Sequence, residues 1–184
     1  MSAPTEAALA AALLHAARDA IEAAVRGRSP REAPEEHEGA LRELGAAFVT
    51  LRTLEGDLRG CIGELEARRP LAESVRSCAV GAALRDPRFG PVTAEELDHL
   101  RIGVSVLTRP QPIDPTSVEV GRHGLLIERG DRRGVLLPEV PIEQGWDAET
   151  FLGYTCRKAG LPADAWRDPE THVYAFESRK YAET

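Results

Sequence analysis

The chain has 184 residues, 30 acidic against 23 basic side chains, a formal charge of −7 and a pI near 5.3. That length favours one domain, with room for two lobes inside it, and lets roughly 70% of the unfolded surface be buried without disulfides or metal. The acidic balance argues against a phosphate-binding surface, hence against nucleic acid as the main partner. No apolar run approaches the ~18 residues of a membrane span.

Residues 5 to 26 place Leu9, Leu13, Leu14, Ala17, Ala20, Ile21, Ala24 and Val25 on one helical stripe, with Arg18 and Glu22 opposite and Gly27 as the stop. This stretch lacks the basic start and continuous apolar stretch of a signal peptide. The segment 28–40 carries Pro30, Pro34 and a run of charges, and reads as an exposed loop. His37 lies within it, with no second ligand at a metal-binding spacing.

An apolar run from Ala46 to Leu54, the turn Glu55-Gly56-Asp57, and the sextet Leu58-Arg59-Gly60-Cys61-Ile62-Gly63 read as a β-hairpin. Alternation puts Arg59 and Cys61 on one face of the second strand, their Cα atoms roughly 6.5 Å apart, and Leu58, Gly60 and Ile62 on the other. A free thiol titrates near ~8.5, and a neighbouring guanidinium favours the thiolate. Gly60 and Gly63 remove Cβ atoms on either side of the cysteine, as expected where a ligand or another backbone comes close. The plainer alternative is that Cys61 is a small core hydrophobe. The charge sharing its face argues against that.

Pro70 opens a helix to about Leu84, with Leu71, Val75, Cys78, Ala79 and Ala82 inward. Asp86-Pro87-Arg88-Phe89 ends it as a turn that tucks Phe89 into the core. The same loop places two opposite charges, Asp86 and Arg88, where binding residues tend to gather. Thr93 and Glu96 fit a capping box, and Leu100 to Thr108 alternate as a strand. His99, just before it, belongs at the surface.

Residues 122–137 read as a second hairpin, with Leu125–Arg129 and Val135–Leu137 flanking the turn Gly130 to Gly134. The triplet Arg129-Gly130-Asp131 is only that turn. Gly121 and Gly124 bracket His123, a residue able to serve as acid or base to a thiol if the fold unites them, or else to hydrogen-bond at a strand start. Asp147 caps a helix to about Ala159, and Trp146 and Trp166 flank it as core anchors. His172 to Glu177 form a last strand.

The three cysteines, at 61, 78 and 156, contain no CxxC pair, so zinc-ribbon and thioredoxin-type motifs are excluded and a reducing cytoplasm is the natural compartment. There is no GxGxxG or P-loop. The element order predicts an α+β fold with a largely antiparallel sheet flanked by helices.

The sextet, with Phe48-Val49-Thr50-Leu51, Asp86-Pro87-Arg88-Phe89, Val104-Ser105-Val106-Leu107, His123-Gly124-Leu125, Leu136-Leu137-Pro138, Trp146 and Lys158-Ala159-Gly160-Leu161, resembles the AMMECR domain family, known in microbes as AmmeMemoRadiSam system protein A. The resemblance runs from about Ala7 to Tyr181. It departs from the usual pattern at Glu139, where glutamine is more common, and at Gly90, where a second proline is. It implies a larger and a smaller lobe with a cleft that receives the signature strand, and no settled activity. It also implies a shared pathway with a Memo-like protein and a radical SAM enzyme, to which any iron or iron–sulfur chemistry would belong. No cofactor or metal of this chain's own is expected.

Together these readings give a small cytosolic enzyme, or the substrate-handling partner of one, acting on an unidentified small molecule or protein. Cys61 and His123 are the expected catalytic pair, and Arg59, Gly60, Gly63, Asp86 and Arg88 the expected substrate-binding set. The competing reading is a non-catalytic module or adaptor whose groove around the same sextet takes a partner's segment.

Overall fold

The apolar periods resolve into two sheets, each with its own helices and its own core. The computed structural model describes residues 5–29 and 38–184, apart from the side chains of Glu38 and Ala40. The loop expected over 28–40, with His37, falls mostly outside the described residues. The chain divides into two units, Met1–Leu107 with Arg179–Thr184, and Thr108–Ser178.

In the first unit α1 (Glu6–Val25) starts at Thr5, whose side chain accepts the Ala8 N–H, and ends before Gly27 at φ +64°. A short α2 (Glu38–Arg42) precedes the hairpin of β1 (Ala46–Thr53) and β2 (Leu58–Gly63). The strands pair antiparallel with Thr50 opposite Cys61, and the register slips at a bulge between Leu51 and Arg52. Then come α3 (Leu71–Leu84), with Pro70 at its N-cap, and β3 (Leu100–Leu107), antiparallel to β1. The strand β8 (Ser178–Ala182) completes a sheet in the order β2-β1-β3-β8.

One face of this sheet is core. Ala47, Val49 and Leu51 of β1 and Ile102 and Val104 of β3 pack with Leu13, Ala17 and Ile21 of α1 and Val75, Cys78, Ala79 and Ala82 of α3. Arg18, expected on the solvated side of α1, instead donates to the carbonyls of Leu97 and Leu100, both at 2.8 Å, and pairs with Glu183.

The second unit holds β4 (Gln111–Pro112), β5 (Gly124–Arg129), β6 (Arg132–Leu136) and β7 (His172–Phe176) in the order β4-β7-β5-β6. Its helices are α4 (Glu139–Gln144) and α5 (Ala148–Lys158), the latter capped by Asp147 through the Thr150 N–H. Leu125, Ile127, Phe151, Leu152, Cys156, Val173 and Ala175 form its core. The α+β fold is as expected, its antiparallel strands forming two sheets. Two details change. The hairpin turn is only Gly130-Asp131, so Arg132 to Gly134 are strand. Trp146 stacks on Tyr154 at 4.0 Å and is half-buried beside the core.

Candidate functional site

Cys61 lies mid-way along β2, an edge strand of the first sheet. Gly60 faces α3 so closely that a Cβ there would stand 2.2 Å from the Ala82 carbonyl oxygen, and Ile62 packs on the same core. Alternation therefore turns Cys61 to the opposite, outer face, while Arg59 is the unpaired residue of the bulge, between the Leu51–Gly60 and Arg52–Leu58 pairs. The core face of the sheet is fully occupied by α1 and α3, so the cysteine is pushed outward by its neighbours' packing.

Cys61 is partly buried, and it is the one cysteine of the three that is not buried. Its Sγ lies 3.3 Å from Oγ1 of Thr50, its cross-strand partner. Cys78 and Cys156 sit in the two cores; burial raises the Cys78 thiol to about 11 and also raises that of Cys156.

An edge strand exposes backbone groups that must find partners. Here side chains of the loop after α3 supply them. Oδ2 of Asp86 accepts the Cys61 N–H at 2.8 Å, and Nη2 of Arg88 donates to the Cys61 carbonyl at 3.4 Å. The same Asp86 carboxylate accepts the Arg88 backbone N–H and, from its guanidinium, Nε at 3.0 Å and Nη2 at 2.8 Å. Asp86 is 4% exposed. The Arg88 guanidinium, helped by the N–H groups of Cys61 and Arg88, outweighs desolvation and holds the Asp86 carboxyl well below the usual carboxylate range. The residue pair predicted for the site thus clamps the cysteine's own peptide.

Arg59 sits at the bulge two residues before Cys61, and its donors are committed elsewhere. Nε and Nη2 form a forked pair with Glu96 at 2.7 and 3.1 Å, and Nη1 reaches the Gly90 carbonyl at 3.0 Å. Glu96 also accepts the Thr93 N–H, one half of the expected capping box, and Arg59 lowers its pKa. Phe89 is half-buried rather than in the core, with the Arg59 and Arg88 guanidinium carbons 5.9 and 5.5 Å from its ring centre.

Of the glycines expected to give a ligand room, Gly60 faces the backbone of α3. The space over Gly63 is taken by the ring of Phe48, which a Cβ would meet at 2.1 Å. Both have packing reasons. His123 belongs to the second unit, just before β5, and its Nδ1 accepts the Glu119 N–H at 3.1 Å. In the neutral ring the proton then sits on Nε2. Among the described residues no group of three His, Cys, Asp or Glu side chains is placed to hold a metal ion, and no helix is long and apolar enough to cross a membrane.

Thr50 and Glu96 are the members that sequence reasoning did not assign to the site. Thr50 was reachable in principle from the hairpin register, but the bulge at Leu51 and Arg52 shifts that count by one. Glu96 was visible only as a helix cap.

Fold and site together define an α+β protein whose outward-facing edge-strand cysteine is fixed by a buried carboxylate–guanidinium clamp. The family model of AMMECR1 matches residues 14–181, and the chain belongs to that family. Protein NEQ441 of Nanoarchaeum equitans is 44% identical over 174 residues, covering 91% of this chain and 96% of its own length. A Thermococcus gammatolerans protein is 47% identical over 181 residues, covering 93% of this chain and 88% of its own. The crystal structure of uncharacterized protein PH0010 from Pyrococcus horikoshii matches with a TM-score of 0.81 at 43% identity, covering 93% of this chain and 89% of that one.

Proposed function

We propose that this AMMECR1-family protein is a thiol-centred enzyme of the cytoplasm, or the substrate-handling partner of one, with Cys61 as the reactive group. The observation that carries the reading is the contrast among its cysteines. Two are sealed in cores, while Cys61 is partly exposed and has its N–H and carbonyl both held by the Asp86–Arg88 clamp. A rigid peptide beneath an accessible sulfur is what a positioned nucleophile or thiol acid/base requires. Thr50 shares a hydrogen bond with the sulfur, and Arg59 acts through Glu96 to brace the loop beside it. By family resemblance, the working partners are a Memo-like protein and a radical SAM enzyme.

The alternative, a binding module or adaptor, draws support from a specific observation. The donors of Arg59 are engaged, and the space over Gly60 and Gly63 is filled. Such a sextet can shape a groove without performing a reaction.

Iodoacetamide labelling of the folded chain near neutral pH separates the two. The enzyme reading expects Cys61 to label at least about tenfold faster than Cys78 and Cys156, and faster than the thiol of an unstructured peptide. A Cys61 rate below that of the peptide removes the nucleophile. Loss of partner binding by a folded Cys61→Ser protein would then favour the module.

A further inference from the structure

The outer face of the first sheet carries a second feature beside Cys61. Arg52 of β1 and Arg101 of β3 are directly opposite each other in the antiparallel register. Both are exposed, while their neighbours Leu51, Leu100 and Ile102 are buried, so both side chains leave on the face that carries Thr50 and Cys61. Directly opposed like charges on adjacent strands destabilise a sheet.

Elsewhere the chain relieves such conflicts. Arg133 stands opposite Glu128 and pairs with it at 3.1 Å. Arg129 stands opposite Arg132 but meets Asp168 and Glu170, while Arg132 donates to the Gly160 carbonyl. At the Arg52–Arg101 pair no carboxylate intervenes. Arg52 donates only to the Gly56 carbonyl, and Arg101 has no ion pair or hydrogen bond among the described residues. Glu55 of the adjacent turn, whose own backbone and Thr53 lower its carboxyl pKa, makes no ion pair with either arginine among the described residues. With 30 acidic residues in the chain, the lack of a partner is not for want of carboxylates.

The surface between this pair and the cysteine is low. Gly103 stands opposite Thr50 with no side chain, and a Cβ there would meet nothing closer than 3.8 Å. Arg52 and Arg101 lie two residues along their strands from the Thr50–Gly103 row, ~7 Å away.

We infer that the Arg52–Arg101 pair is the anchor for a compact oxyanion, a carboxylate or phosphate group, on a small ligand whose other end reaches Cys61. This rests on the reading of Cys61 as the working residue. It adds the substrate class: a small anionic molecule rather than a neutral one or a peptide segment. The guanidinium pair matches an oxyanion's several lone pairs, and binding removes the repulsion between the two cations.

Two measurements test it on the full chain. First, a Cys61→Ser protein is titrated with inorganic phosphate and, separately, with malonate at low ionic strength, following backbone amide shifts in NMR spectra. The expected result is saturable movement of Arg52, Arg101 and Gly103, weakened about tenfold by Arg101→Gln and by added salt. A stronger response to malonate identifies a carboxylate, and a stronger one to phosphate a phosphate. Arg101→Gln should be as stable as the parent or more so, since it removes a repulsion, whereas a structural arginine would leave it weaker.

Second, the wild-type Cys61 is labelled with iodoacetate and with iodoacetamide. The iodoacetate rate should fall about tenfold on Arg101→Gln while the iodoacetamide rate holds. If Cys61 resists both reagents but anion titration still depends on Arg101, the anion site stands and the thiol reading fails. If both reagents label equally in parent and variant, and neither anion moves these amides, the anion site is overturned and the thiol reading stands.

Discussion

The hairpin β1–β2 and the hairpin β5–β6 are built alike, yet they treat charge in opposite ways. Each turns tightly and presses a glycine of its second strand against helix backbone: Gly60 against the Ala82 carbonyl, and Gly134 against the Thr155 carbonyl and Ala159 N–H. On β5–β6 the charges are settled at the surface by pairs such as Glu128–Arg133, each side chain 36% exposed. On β1–β2 a carboxylate, Asp86, is buried to hold the edge of β2, and Arg52 of β1 is left opposed to Arg101 of the neighbouring strand β3. Surface pairs contribute little to stability, and a buried carboxylate is tolerated only when fully hydrogen-bonded. The first hairpin therefore keeps costly arrangements that the second avoids, and it keeps them around one sulfur.

Removing the buried carboxylate should break this contrast most. Asp86→Ala strips the Cys61 N–H of its acceptor and frees Arg88, and should cost about 3 kcal/mol in urea unfolding. The effect depends on pH with a defined sign. The folded-state pKa of Asp86 is depressed below its unfolded value, so its contribution is present above the unfolded pKa of about 3.9 and lost as pH falls through the folded one. The stability gap between parent and Asp86→Ala should therefore be constant near neutrality and close in strong acid. A gap independent of pH down to the acid limit would mean the carboxylate carries no such weight.

The shared feature gives a smaller effect in both hairpins. Gly60→Ala and Gly134→Ala each place a Cβ within 2.5 Å of backbone atoms that cannot swing away. Each should destabilise by about 2 kcal/mol, measured as a shift in the denaturation midpoint. A neutral Gly60→Ala would show that the strand does not need close approach to α3, and would reopen a ligand-facing role for that glycine.

The least effect belongs to the surface pair. Arg133→Gln should change stability by under about 1 kcal/mol, and less at high salt. A loss as large as that of Asp86→Ala would erase the distinction between the hairpins.

The strand and helix periods made much of this legible. The hairpin around the sextet, the helix from Pro70, the strand from Leu100 and the Asp147 cap all follow from alternation, stripes and capping residues. The outward face of Cys61 followed from parity alone. Shorter elements were hidden: α4 is six residues with Pro141 inside it, and β4 is two residues ending in a proline, so neither has a period to read. That the strands divide into two sheets depends on pairings distant in sequence, which no local pattern encodes. The same limit applied at the site. Asp86 and Arg88 were flagged as a charged loop, but only the fold showed that they grip the peptide of Cys61. Arg59 was read as the thiol's partner because nothing near it in sequence announces Glu96.

The order of the chain gives the first sheet an unusual assembly history. Its fourth strand, β8, begins only at Ser178, the last residue of the second unit, and Glu183, which Arg18 of the first helix holds, comes later still. On a ribosome adding about 5–20 residues per second, β3 would emerge several seconds before the strand that flanks it. During that wait its unpaired edge is the part of the nascent protein most open to a chaperone, or to a wrong neighbour.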